Sequence, residues 1–281
     1  AALASADFDG DGRDDLAVGA PNDRVSGKRA GAVNVIYGSK SGLTAKGDER
    51  WHQGVPGVLG KPKPGEKFGA ELAAADFGGD GDGDLAIGIP KDVQDGKKVG
   101  AVSVLYVQPS GLSGEYDDLY HQDSPGIRGS AGAGDLFGRS LMAGDFDGDN
   151  RTDLAIGVPG DKPGGTKAGA VTVLYAQATG LDPEGDQRWH QDTSGISGTA
   201  EIGDQLGRAV AVGDFDGDGY VDLAIGVPGE DLAGFTDTGA IHVIYGGANG
   251  LAATGEQFWN QGVDGVSGSL QSGDKFGASA N

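Results

Sequence analysis

The chain has 281 residues, no cysteine and a formal net charge of −21. It therefore excludes disulfide staples and thiol catalysis, and its acidity opposes binding to nucleic acid or to anionic membrane surfaces. Glycine supplies 56 residues without a collagen-like period, while β-branched and aromatic residues recur on schedule, so short strands joined by glycine-rich turns are expected rather than disorder.

The chain opens on an apolar strand end, Leu3-Ala4-Ser5-Ala6, and runs into Asp7-Phe8-Asp9-Gly10-Asp11-Gly12-Arg13-Asp14-Asp15. The same acidic loop returns at 76–84, 145–153 and 214–222, a constant step of 69 residues. So steady a period marks a repeat architecture. Each loop is followed by a strand (15–19, 85–88, 154–157, 223–226) that ends in a Gly-x-Pro stop at Pro21, Pro90, Pro159 or Pro228. Proline cannot donate to a sheet ladder and so ends the strand. A variable polar loop leads to the most regular strand of the unit: Ala32-Val33-Asn34-Val35-Ile36-Tyr37, then 101–106, 170–175 and 240–245. Its residues suit a buried pleated surface. A turn ending in Gly-Leu (Leu43, Leu112, Leu181, Leu251) precedes a fourth strand carrying Trp51-His52-Gln53, Tyr120-His121-Gln122, Trp189-His190-Gln191 or Trp259-Asn260-Gln261. The next unit starts at Phe68-Gly69, Phe137-Gly138, Leu206-Gly207 or Phe276-Gly277. No segment keeps a 3.6-residue apolar period, so helix content is expected to be negligible. Four strands per unit, repeated radially, describe an all-β propeller built of four-stranded antiparallel blades in a single domain spanning 1–281.

Alternating carboxylates around glycines suit a hard cation, and calcium takes six to eight oxygen ligands from such loops. By analogy with other calcium loops, positions 1, 3 and 5 offer side-chain oxygens, position 7 a backbone carbonyl and position 9 a closing carboxylate. The expected ligands are Asp7, Asp9, Asp11, the Arg13 carbonyl and Asp15; Asp145, Asp147, Asp149, the Arg151 carbonyl and Asp153; and Asp214, Asp216, Asp218, the Tyr220 carbonyl and Asp222. The second loop offers Asp76, Asp80, the Asp82 carbonyl and Asp84, with Gly78 where the others have aspartate, so it is expected to be the weakest of up to four sites. Position 6 must turn sharply and is Gly12, Gly81 or Gly219, with Asn150 in the third loop. An EF-hand needs a Glu at position 12 between helices; here Val18, Ile87, Ile156 and Ile225 stand there inside strands. Four bound Ca2+ would bring the net charge from −21 to −13. The role inferred is structural, each ion pinning the hairpin between the first two strands.

The Phe-Gly pair, the D-x-D-x-D-G-x-x-D loop and the Gly-Ala-Pro stop together resemble FG-GAP repeats, the blades of the integrin α-subunit propeller and of many secreted bacterial proteins. The resemblance covers essentially the whole chain and implies a secreted or cell-surface protein. It further implies that partners, protein or glycan, meet the face opposite the calcium loops. Integrin-type propellers have seven blades, whereas this chain has material for four. Leu3-Ala4-Ser5-Ala6-Asp7 and Phe276-Gly277-Ala278-Ser279-Ala280 read as complementary pieces of one blade. Closure within one chain is the leading expectation; closure between two chains as a strand-exchanged homodimer, and a longer array, stay open.

The partner face would carry the loops 22–29, 91–98, 160–167 and 229–238, which vary most between repeats and hold Lys28, Arg29, Lys91, Lys97, Lys98 and Lys167. Binding loops on a rigid scaffold are a common arrangement. His52, His121 and His190 recur at the repeat period on a wide circle, too far apart to share an ion, and are read as packing residues. His242 replaces Asn34, Ser103 and Thr172 at its strand position and is a candidate for tuning a pocket. No catalytic residue is assigned, because no Gly-x-Ser-x-Gly elbow, phosphate loop or His-Glu-x-x-His is present. The reading is a calcium-stabilised adhesion or recognition module. The alternatives are an ancillary or catalytic module of a secreted hydrolase, and a purely structural scaffold.

Overall fold

The computed structural model describes residues 2–279. They form four successive antiparallel sheets, each of four strands in chain order from one edge to the other. Blade 1 comprises Leu3–Ala6, Asp15–Ala20, Ala32–Tyr37 and Thr44–Trp51. Blade 2 comprises Glu71–Ala75, Asp84–Ile89, Ala101–Gln108 and Gly111–Tyr120. Blade 3 comprises Leu141–Gly144, Asp153–Val158, Ala170–Gln177 and Gly180–Trp189, and blade 4 Val210–Gly213, Asp222–Val227, Ala240–Tyr245 and Ala252–Trp259. Among the described residues the helical content is one 3-10 turn, Pro163–Gly165. The register is the same throughout: Ala6, Ala75, Gly144 and Gly213 each face the aspartate that closes the acidic loop. Third and fourth strands slip register at a bulge in every blade. Fourth strands stop at the aromatic residue, so His52, Gln53 and their repeat equivalents lie in the turn beyond and not on the strand.

The Phe-Gly pair and the Gly-x-Pro stop are two halves of one contact. Phe68, Phe137, Leu206 and Phe276 bridge the backbone of Gly31, Gly100, Gly169 and Gly239, at the entry to the preceding blade's third strand. The glycine after each then lays its carbonyl on the glycine of that blade's Gly-x-Pro. A Cβ on Gly19, Gly88, Gly157 or Gly226 would stand 2.0–2.4 Å from the carbonyl oxygen of Gly69, Gly138, Gly207 or Gly277. No side chain fits there, and the glycines of the Phe-Gly pairs sit at φ +76 to +82, a conformation that costs L-residues. The sequence signature is thus the trace of a backbone-to-backbone joint between blades.

Apolar residues fill the three junctions. One cluster joins blades 1 and 2 around Phe8, Phe68 and Leu85, a second joins blades 2 and 3 around Phe77, Phe137 and Leu154, and a third joins blades 3 and 4 around Phe146, Leu206 and Leu223. Among the described residues no cluster joins blade 4 back to blade 1. The expected sharing of one blade by the two chain ends is not seen there either. Leu3–Ala6 is the first strand of blade 1, paired with Asp15–Ala20, whereas Phe276 bridges Gly239 of blade 4. Ala278 and Ser279 are not in a strand, and Ala280 lies outside the described residues.

A buried carboxylate reinforces the first junction. Asp117 accepts the Leu59 N–H at 2.5 Å and the Ser103 hydroxyl at 2.8 Å. Burial pushes its carboxyl up to about 7. The folded chain therefore holds a proton here that the unfolded chain releases near pH 4, and stability from this group falls as pH rises from about 4 to 7. Asp117→Asn is expected to flatten the dependence of melting temperature on pH across that window and to raise the melting temperature at pH 8, as read by thermal scans at several pH values.

Candidate metal centres

The aspartate at position 9 of each loop is the most deeply placed. Asp15, Asp84, Asp153 and Asp222 are buried, and each ties two elements together. One oxygen accepts the N–H of Phe8, Phe77, Phe146 or Phe215 in the loop, at 2.7–2.9 Å. The other accepts the N–H of Gly38, Val107, Ala176 or Gly246 at the end of the third strand, at 2.7–2.9 Å. These third-strand donors are backbone groups and leave no mark in the sequence. Burial raises the Asp15 carboxyl, and it pushes Asp84 and Asp153 each up to about 7, because neutral N–H groups offset only part of the desolvation.

Position 1 organises the loop backbone. Asp7, Asp76, Asp145 and Asp214 accept N–H groups from residues four and five further on. Position 7 donates its N–H to the position-5 carboxylate in three loops: Asp82 to Asp80, Arg151 to Asp149 and Tyr220 to Asp218. The side chain at position 7 then decides where the position-5 carboxylate points. Arg13 and Arg151 pair with Asp11 and Asp149. The carboxylates that converge in those loops are Asp7, Asp9 and Asp15, and Asp145, Asp147 and Asp153, with one oxygen of each within 4.8 Å of the others. Tyr220 carries no charge, and in the fourth loop Asp214, Asp216 and Asp218 converge instead. Among the described residues the second loop shows no such trio. Gly78 there donates its N–H to Asp84 at 2.7 Å, where the other loops have a carboxylate.

The donor set fits a hard divalent cation. In the third loop three carboxylates converge, and burial first, with the neighbouring Asp147 and Asp145 adding to it, pushes the buried Asp153 up to about 7. A bound cation would offset both. Each oxygen of the position-9 aspartates already accepts a backbone N–H, which leaves lone pairs on both for metal coordination.

Two of the three repeated histidines serve the turn after the fourth strand; the His190 Nδ1 is buried without a partner. His52 Nδ1 accepts the Gly54 N–H at 3.0 Å and His121 Nδ1 the Asp123 N–H at 3.2 Å; Asn260 Oδ1 accepts the Gly262 N–H at 2.8 Å. This is an Asx-type turn in which imidazole and amide are interchangeable, and it explains why asparagine replaces histidine in the fourth unit. Burial lowers the His52 pKa and keeps the ring a neutral acceptor. His242 is fully buried against Phe258, with ring centroids 4.9 Å apart, and its Nδ1 lies 2.5 Å from Glu256 Oε1. It replaces the Ser103–Asp117 pair of blade 2 with a larger hydrogen-bonded pair.

The family model described as FG-GAP repeat matches residues 1–36, 68–105, 137–174 and 206–244. Phosphatidylinositol-glycan-specific phospholipase D of Rattus norvegicus is 36% identical over 188 residues, covering 65% of this chain and 21% of the relative. Integrin alpha pat-2 of Caenorhabditis briggsae is 32% identical over 237 residues, covering 80% of this chain and 17% of the relative. Integrin alpha-PS2 of Drosophila melanogaster is 30% identical over 246 residues, with 82% and 15% covered. The chain thus spans only 15–21% of the length of these relatives. Among solved structures, rhamnogalacturonan lyase YesW matches with a TM-score of 0.50 at 13% identity, over 98% of this chain and 51% of that one; this likeness concerns the fold alone. With its four matched segments each spanning a blade from the first strand through most of the third, the chain belongs to the FG-GAP repeat family.

Proposed function

We propose that the chain is a calcium-stabilised recognition module of a secreted or cell-surface protein, meeting a protein or glycan ligand on the face opposite the acidic loops. The observation that carries this reading is where the blades differ. Their sheets share one register, and the variation gathers in the loops between second and third strands. Loops 22–29 and 93–98 fold into two-stranded ribbons, Arg24–Val25 with Lys28–Arg29 and Val93–Gln94 with Lys97–Lys98. The third forms the Pro163–Gly165 turn, and the fourth is closed by Leu232 and Phe235. A rigid scaffold with variable tips on one face is the arrangement recognition uses. Some basic residues there serve the scaffold: Lys28 Nζ donates to the Pro62 carbonyl at 3.0 Å. Between blades 3 and 4 the same face opens a cleft of about 240 Å3, lined by Lys167, Pro159, Leu136 and the exposed Ile202, able to take a small polar group beside an apolar one. Among the described residues no helix is long and apolar enough to cross a membrane.

The phospholipase relatives favour a second reading, an ancillary module of a larger secreted hydrolase. A glycan array together with a panel of hydrolase substrates separates the two. Retention of a glycan class, weakened by Lys167→Glu with Ile202→Asp, supports recognition; turnover in the panel without retention overturns it.

Calcium binding has its own expected outcome. Calorimetric titration of the metal-free chain should show tight sites and one markedly weaker site, the weak one abolished by Asp80→Ala and strengthened by Gly78→Asp. Four indistinguishable sites would refute the deficit assigned to Gly78.

A further inference from the structure

Blade 2 departs from the other three blades at two positions where the fold makes no such demand. Loop position 3 is Gly78, where the others carry Asp9, Asp147 and Asp216. Four residues before the fourth-strand aromatic, blade 2 carries Tyr116, where the others carry Gly47, Gly185 and Gly255. In every blade this second position falls in the bulge that the third strand leaves unpaired. A Cβ on Gly47 or Gly185 would meet nothing within 4 Å, so the position looks onto open space and the bulge forms without a side chain. The Tyr116 ring stands there 61% exposed, too open for burial to account for it.

Both departures line one cleft. It lies between blades 2 and 3, at the end of the blades that carries the acidic loops. Its volume is about 550 Å3, within the roughly 300–1,000 Å3 usual for small-molecule sites. Blade 2 supplies Gly78, Tyr106, Gln108, Tyr116 and Asp118, and blade 3 closes the far wall with Thr179. A Cβ at position 78 would stand 3.3 Å from Asp84 Oδ2 and 3.6 Å from the Tyr106 ring, so an aspartate there would crowd this wall. The Tyr106 and Tyr120 hydroxyls both meet Asp118 Oδ2 at 3.0 Å and fix the carboxylate in place. Among the described residues its Oδ1 has no hydrogen-bond partner and is left for a ligand. Both walls belong to blades with a neighbour on either side, so the cleft does not depend on how the ends of the array are covered.

We propose that this cleft binds a neutral carbohydrate, one sugar ring stacking on Tyr116 while its hydroxyls bond Asp118, Gln108 and Thr179. The face of Tyr116 offers an apolar surface to the C–H side of the sugar. The free carboxylate oxygen accepts from hydroxyls in charge-assisted bonds. The amide of Gln108 and the hydroxyl of Thr179 both donate and accept, as sugar hydroxyls do. No lysine, arginine or histidine lines the cleft, whereas Asp80 and Asp118 do, so phosphate, sulfate and uronate groups are repelled. An ammonium group only donates and has no acceptor for the Thr179 hydroxyl. The site is separate from the cleft beside Lys167 and Ile202, which opens on the opposite face.

An array of neutral, uronate-bearing and sulfated oligosaccharides tests this, followed by calorimetric titration with the best-retained free glycan. The native chain should retain neutral glycans and not anionic ones. Tyr116→Ala should weaken that binding about tenfold, near the upper range for a lost aromatic contact, and Tyr116→Phe should keep it. Thr179→Arg, which fills the cleft from the blade 3 wall, should weaken it as well. Both positions are exposed, so each variant should melt within about 2 °C of the parent. Lys167→Glu with Ile202→Asp should leave this binding unchanged, which separates it from recognition on the opposite face. A native chain that retains no neutral glycan overturns the inference. So does a neutral glycan held equally well by Tyr116→Ala, or lost as fully by Tyr116→Phe as by Tyr116→Ala.

Discussion

Gly157→Ala is expected to lower stability by about 3 kcal/mol, the upper end of what overpacking usually costs, and to drop the melting temperature by roughly 6–10 °C for a domain of this size. The added methyl would stand 2.1 Å from the Gly207 carbonyl oxygen and 2.1 Å from Ser140 Oγ. Neither can retreat without loss. Ser140 Oγ donates to that same carbonyl at 2.9 Å, and the Gly157 N–H donates to the Ser140 carbonyl at 2.9 Å. The Gly207 carbonyl is in turn fixed by a backbone at φ +81 and by Leu206 buried in the junction. A methyl at position 157 therefore pushes blade 4 away from blade 3 rather than deforming one loop. Gly185→Ala is the control: nothing lies within 4 Å of its Cβ and its backbone does not need glycine, so its melting temperature should stay within about 2 °C of the parent, as for surface substitutions of under ~0.5 kcal/mol. Equal losses for the two variants would mean that the joint between blades tolerates separation.

That joint shows which part of the fold the sequence displays. The period of 69 residues, the Gly-x-Pro stops and the apolar third strands place the sheets, and the observed strands Ala32–Tyr37 and Ala240–Tyr245 coincide with the expected ones. These features are local, set by propensity and alternation over a few residues. The contact of Gly157 with Gly207 is different. It joins residues 50 positions apart through backbone atoms, and nothing about a glycine names its partner. The position-9 aspartates show the same limit. Asp153 stands out in sequence as an acid among acids, yet its second oxygen serves the Ala176 N–H, which any non-proline residue would supply. His52 was legible as a repeat feature, but its task, accepting a turn N–H, became clear only beside Asn260 doing the same. The place of Phe276-Gly277 was the least legible, because the pair bridges Gly239 of blade 4 rather than completing a strand of blade 1.

Asp153→Ala should be the most damaging substitution in any acidic loop, and the reason separates structure from metal binding. Asp153 is fully buried, and its two oxygens accept the N–H groups of Phe146 and Ala176, both at 2.9 Å. Removing them strands two buried donors at about 1–3 kcal/mol each, so roughly 2–6 kcal/mol is lost with or without calcium. Asp147→Ala, in the half-buried position 3, keeps both of those bonds. It should leave the chelated protein nearly unchanged and remove only the part of the melting temperature that calcium adds at this site. The two variants should also differ in pH response. Burial pushes the native Asp153 carboxyl to about 7, so without metal the folded state holds a proton that the unfolded state loses near pH 4, and this group's contribution to stability declines as pH rises between those values. Calcium requires the carboxylate deprotonated, and its affinity therefore falls as pH drops. The melting-temperature gain from calcium is expected to be large at pH 8 and small at pH 5.5 in the native chain. A gain that is flat with pH would remove Asp153 from the ligand set while leaving its role as the tie between the loop and the third strand intact.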